Sequence, residues 1–162
     1  FEPLAKLYRD YRVFLTKTDV VDTELDPQKN VMIEGSFLAS IDLLELFGPL
    51  VADHSRVDHS VFGSEEDIER LEQVKSIVQI RSSSERNYVH DLRDSMHIAT
   101  SIRYGYDAFV TSDERLVSRD AQFTNQFNFR IFKVGAAIAH VNRLIEHIER
   151  REVLGRMRRD NQ

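Results

Sequence analysis

From Asp91 to Asp113 the sequence changes period once, abruptly. Leu92, Met96, Ala99 and Ile102 recur at helical spacing on one face, Gly105 stands where a helix would stop, and Asp107 to Thr111 (DAFVT) then reads as a strand. A helix joined through a glycine stop to an apolar strand is half of the repeating unit of an α/β domain. It directs the chain toward folds in which helices cover a sheet.

The rest of the chain continues the alternation. Pro3 with Leu4, Leu7, Tyr8 and Tyr11 predicts a helix over 1–11, and Arg12 to Thr16 (RVFLT) has the length and composition of a strand. Thr18 and Asp19 cap a short helix limited by Pro27, and Ser36 to Phe47 (SFLASIDLLELF) carries a cap, helical spacing and the stop signal Gly48-Pro49. Ser64 with Asp67 approximates a capping box that opens a helix over 65–74, and Ser76 to Ile80 (SIVQI) reads as the next strand. After DAFVT come a short helix from Asp113, a strand at Phe129 to Val134 (FRIFKV) and a long helix from Ala136 to about Val153. Strands alternating with helices predict an α/β domain around a mostly parallel sheet. The 162 residues, 41% of them apolar, suffice for one core. A single domain over 1–153 with a basic tail over 154–162 is expected.

A formal net charge of −5 means that the molecule as a whole repels polyanions, so any contact with nucleic acid must be local. The absence of cysteine excludes disulfides, thiolate nucleophiles and Cys-type zinc cages, and suits a reducing compartment. No apolar run approaches the roughly 20 residues of a membrane helix. A soluble, cytoplasmic protein without membrane contact is expected.

The informative pattern is where certain acids fall. Glu24 follows RVFLT by one turn of helix, Asp94 lies in the first turn of the helix expected after SIVQI, and Asp113 comes two residues after DAFVT. Each lies just past a strand's carboxyl end, where open parallel sheets bind ligands. Clustered carboxylates repel one another unless cations sit among them, and hard ions such as Mg²⁺ or Mn²⁺ prefer oxygen ligands. Each acid also has an ordinary explanation, because acids in a first helical turn are favoured by the macrodipole and Asp113 can simply cap the helix after it.

Asp94 to Gly105 (DSMHIATSIRYG) followed by Asp107 to Asp113 (DAFVTSD) resembles the PIN domain family, whose pattern is an acid, a helix rich in small residues, a glycine stop, an apolar strand and a Thr-x-Asp ending. Thr18 to Leu25 (TDVVDTEL) resembles the family's second acidic motif, and Phe129 to Val134 with the helix behind it resembles its last strand and helix. The likeness spans nearly the whole chain and is least diagnostic from Pro27 to about Val74. It implies a three-layer αβα domain whose acidic pocket holds Mg²⁺ or Mn²⁺ and cuts RNA. By position Glu24, Asp94 and Asp113 take the metal-binding, catalytic roles. Many small members are toxins of toxin–antitoxin pairs, so an antitoxin partner and a homodimer are expected. The family's first acid ends a strand that precedes helix one, and the expectation is that this strand belongs upstream of Phe1. The alternative alignment gives Asp22 that role.

Other residues carry secondary expectations. Ser112 can orient a ligand or phosphate oxygen or serve only as a turn hydroxyl, and His97, on the side of the helix that carries Asp94, offers a catalytic base or ligand or, more often in such a helix, packing support. Asp53 to Ser60 (DHSRVDHS) offers His54 and His59 beside two acids, with Arg56 as a phosphate contact or as part of a plain polar connection. Only five of the 22 basic residues are lysine, and arginine forks suit phosphate. Arg150, Arg151, Arg156, Arg158 and Arg159 concentrate positive charge at the chain's end, as a local basic patch or a solvated helix end. Metal-assisted hydrolysis of RNA is the leading expectation. A catalytically degenerate module that binds RNA or a protein, and a regulatory doubly wound domain, are the alternatives.

Overall fold

A computed structural model describes residues 2–18, 43–52, 60–81 and 84–160. Asp22, Glu24, His54, Arg56 and His59 lie outside the described residues. Six helices and four short strands are found among those described: α1 (Glu2–Arg9), β1 (Thr16–Thr18), β2 (Leu44–Leu46), α2 (Glu65–Val78), α3 (Glu85–Arg103), β3 (Ala108–Val110), α4 (Glu114–Val117), α5 (Asp120–Phe127), β4 (Arg130–Phe132) and α6 (Val134–Asp160). The fold is mixed α/β.

Among the described residues the strands form two parallel pairs. Thr16, Lys17 and Thr18 of β1 pair with Leu44, Glu45 and Leu46 of β2, while Ala108, Phe109 and Val110 of β3 pair with Arg130, Ile131 and Phe132 of β4. The β3–β4 crossover runs through α4 and α5, the short helical connection that parallel strands require. Asp120, at the start of α5, locks it by accepting hydrogen bonds from Arg130 Nε at 2.9 Å and from the Ile131 backbone N–H at 2.7 Å.

The helix–glycine–strand unit forms as the sequence predicts. Gly105 adopts φ +74°, a backbone angle that costs glycine little, and the chain then enters β3. The helix starts earlier than the apolar spacing indicates, because Ser84 caps it by accepting the Asn87 N–H at 3.2 Å. Ser64 and Asp67 make a full capping box at the start of α2, as expected.

Four expectations are corrected. SIVQI is not a strand: Leu71, Val74, Ile77 and Val78 form one helical stripe, α2 continues through Val78, and Gln79 ends it with φ 56°. RVFLT does not pair as a strand; Tyr11 turns the chain at φ 55° and pairing begins only at Thr16. In the predicted helix Ser36–Phe47, the described end is the strand β2, whose Leu46 is buried against β1, so tertiary pairing prevails over local periodicity there. The last helix does not stop near Val153 but runs to Asp160, so residues 154–160 continue α6 rather than form a separate tail.

The core lies between the α2–α3 pair and the β3–β4 pair. Val74, Ile77, Val78, Ile98, Ala99, Leu116, Phe123, Phe129 and Ile131 are buried together. α3 also reaches β1: the buried His97 hydrogen-bonds Thr18 through Nδ1 and stacks on Phe109 of β3, with ring centroids 6.0 Å apart. One side chain of α3 thus touches both strand pairs. No helix among the described residues is long and apolar enough to cross a membrane.

Candidate functional site

Three elements meet at one charged cluster: the carboxyl end of α2, the second and third turns of α3, and the start of α4. Asp113 is held by its own local chemistry, as the N-cap of α4, with Oδ1 accepting the Arg115 N–H at 2.7 Å and its own N–H donating to Thr111 Oγ1 at 3.0 Å. That cap aims the Arg115 side chain back over the end of α2. Arg115 Nη1 donates to the carbonyl of Val78 at 2.9 Å, satisfying one of the carbonyls that a helix end leaves open.

The other nitrogen of the fork, Nη2, reaches all three acids. It lies 2.5 Å from Asp91, 3.7 Å from Asp94 and 3.9 Å from Asp113. Asp94 and Asp113, both singled out in the sequence, are thereby brought around a single cationic point. Asp94 is not in the first turn of its helix, as expected, but in the third, because α3 begins at Glu85. What places it here is the pairing of α3 with α2, not a preceding strand.

Asp91 is the buried member, with none of its side chain exposed. Arg81 donates to it from the backbone at 2.8 Å, from Nε at 3.0 Å and from Nη2 at 2.8 Å. Burial pushes the Asp91 carboxyl up, but the hydrogen bonds from Arg81 and the nearby Arg115 charge outweigh it and hold the group below the ordinary carboxylate value. The same contact raises the Arg81 guanidinium above its ordinary value. Asp91 therefore remains an anion, saturated by two guanidinium groups.

His90 also borders the cluster, with Nδ1 at 3.1 Å from Asp94, one turn away on the exposed side of α3. Ligand atoms of His90, Asp91 and Asp94 lie within 4.8 Å of one another. Because both Asp91 oxygens already face guanidinium donors, that trio does not offer three available ligands. The donor chemistry that fits a divalent cation is the pair of carboxylates Asp94 and Asp113, hard oxygens of the kind Mg²⁺ and Mn²⁺ select. Glu24 lies outside the described residues, as does Arg56. Ser112 is exposed in the turn beside Asp113.

Arg81, His90, Asp91 and Arg115 were not among the residues the sequence singled out. His90 and Asp94 stand at i and i+4, a spacing that places both on one helix face, but only once α3 is known to begin before Asp91. His97 turns away from the cluster into the core. At the far end of the chain Arg150 and Arg156 are exposed and lie 3.8 Å from Glu146 and Glu152, one turn earlier, so the basic stretch is in part self-paired. Compared with protein-family models, with curated proteins and with solved structures, the chain matches none.

Proposed function

We propose that the chain is a divalent-metal-dependent ribonuclease of PIN-like type, hydrolysing RNA phosphodiester bonds at the Asp94–Asp113 cluster. The observation that carries this reading is the convergence of two carboxylates from separate elements, α3 and the cap of α4, on one guanidinium nitrogen no more than 3.9 Å from either. Acids distant in sequence that gather at the end of β3 are the arrangement the resemblance implies. Asp94 and Asp113 would hold Mg²⁺ or Mn²⁺, with Glu24 as the third ligand. Bound there, the cation supplies positive charge for the scissile phosphate and a more acidic water.

The remaining work falls to the chain's own side chains. Arg81, with 44% of its side chain exposed beside the cluster, is oriented by Asp91 through Nε and Nη2 and adds positive charge at the rim for a phosphate group. Ser112 stands at the same rim with a hydroxyl for a phosphate oxygen. The wider reading is a three-layer αβα domain in a cytoplasmic, homodimeric toxin that an antitoxin restrains; the resemblance supports it.

The test is cleavage of defined single-stranded and hairpin RNAs in Mn²⁺, comparing the parent with Asp94→Asn. Cleavage by the parent and its loss in a variant that melts like the parent are expected. Undiminished cleavage by Asp94→Asn overturns the assignment. One observation favours the second reading, a degenerate RNA- or protein-binding module: Arg81 and Arg115 already neutralise much of the acidic charge. RNA binding without cleavage in any divalent cation would select it.

A further inference from the structure

The three acids Asp91, Asp94 and Asp113 share a cation that belongs to the protein. Arg115 Nη2 faces all three acids, yet its contacts are unequal: 2.5 Å to Asp91 is a hydrogen bond, whereas 3.7 Å to Asp94 and 3.9 Å to Asp113 are charge contacts too long to be one. The group is tethered at its back, through Asp91 and the Val78 carbonyl, and only faces the front pair. Arg81, by contrast, gives both Nε and Nη2 to Asp91.

We propose that Arg115 is the internal cation of this site: it offsets Asp94 and Asp113 when no metal is bound, stays anchored on Asp91 and Val78 when one is, and so sets how tightly the site holds a divalent ion. The inference rests on the metal-site reading above. Two like-signed groups within a few ångströms oppose each other, so a divalent ion taken up by Asp94 or Asp113 binds against the charge of Arg115, 3.7 and 3.9 Å from them. Arg115 is then a positioning residue that makes metal binding weak and reversible, while keeping the metal-free site from flying apart by carboxylate repulsion.

The test uses the full chain, without RNA, and Mn²⁺ as probe. Free Mn²⁺ measured by electron paramagnetic resonance gives the affinity of the parent, of Arg115→Gln, a shorter polar side chain that loses the charge, and of Arg115→Lys, which keeps the charge. Arg115→Gln is expected to bind Mn²⁺ at least about tenfold more tightly, with Arg115→Lys close to the parent. In EDTA the Gln variant should also melt below the parent, and Mn²⁺ should restore it. An unchanged or weaker affinity in Arg115→Gln, with Mn²⁺ binding intact in the parent, overturns the role of Arg115 and leaves the metal site standing. Absence of Mn²⁺ binding in all three proteins overturns both. Should Arg115→Gln fail to fold, the parent still decides: Mg²⁺ must move the Arg115 Nε–H resonance, assigned by its loss in Arg115→Lys, and a resonance that does not respond overturns the proposal.

Discussion

Arg81 holds Asp91 through three donors, its backbone N–H, Nε and Nη2, all between 2.8 and 3.0 Å. Arg81 lies in the α2–α3 connection and Asp91 in the second turn of α3, so the contact ties that connection to the helix carrying Asp94. A carboxylate with no exposed surface would be costly to ionise alone. Paired with a fork that reaches in from the solvent side, and with Arg115 from the other side, it becomes the fixed point about which the cluster is arranged.

Asp91→Asn keeps the size of the side chain and removes its charge, leaving Arg81 and Arg115 against an amide with a single acceptor oxygen. The expected cost is about 2–3 kcal/mol, below the ~3–5 kcal/mol of a fully buried pair because Arg81 can turn to water. Urea denaturation with an unchanged m-value would measure it. A loss under about 0.5 kcal/mol would rank the contact with surface ion pairs.

Acid should act on the same contact. Asp67, Asp91 and Asp120 are all held below the ordinary carboxylate value of 3.8. In each, burial raises the group and is outweighed by hydrogen bonds, from Ser64 and Arg70 to Asp67 and from Arg130 and Ile131 to Asp120. A carboxyl that is a stronger acid folded than unfolded adds stability above its unfolded pKa and loses it as the pH falls toward the folded one. Stability from these three groups should therefore be constant from neutral pH down to about 5 and decline below about 4. Unfolding followed by circular dichroism across that range checks the sign; a rise in stability on acidification would contradict it.

Much of the α3–β3 unit is legible in the sequence because its signals are local. The apolar spacing of Leu92, Met96, Ala99 and Ile102, the Gly105 stop and the cap at Asp113 each act within a few residues, and the structure bears them out. SIVQI misleads because Ile77 and Val78 are β-branched and the segment is shorter than the window that separates a strand from a buried helix end. Arg81, Asp91 and Arg115 are illegible for a different reason. Their pairing joins residues 10 and 24 positions apart, and nothing in the composition around Arg115 tells it from an ordinary arginine in a short helix.

Thr18→Val tests whether His97 is structural. Valine preserves the shape of the side chain and deletes the hydroxyl that the buried His97 ring pairs with, leaving one ring nitrogen without that partner. A loss of about 1–3 kcal/mol is expected, read as a lower melting temperature, with Mn²⁺ affinity at the Asp94–Asp113 cluster unchanged. A marked fall in metal affinity at unaltered stability would instead place His97 in the site's chemistry.

Asp113 does two things that substitution can separate. As the cap of α4 its Oδ1 accepts the Arg115 N–H, a task asparagine performs nearly as well, whereas alanine removes the acceptor. Asp113→Asn should therefore lie within about 0.5 kcal/mol of the parent in urea denaturation, and Asp113→Ala should lose about 1 kcal/mol. The charge is a separate matter, since a neutral amide is a poor partner for a hard divalent ion. Both variants should lose Mn²⁺-dependent cleavage alike, although only one loses stability. If Asp113→Asn cleaved RNA as the parent does, the residue would be a cap and nothing more, and Asp94 would be left without its partner carboxylate on α4.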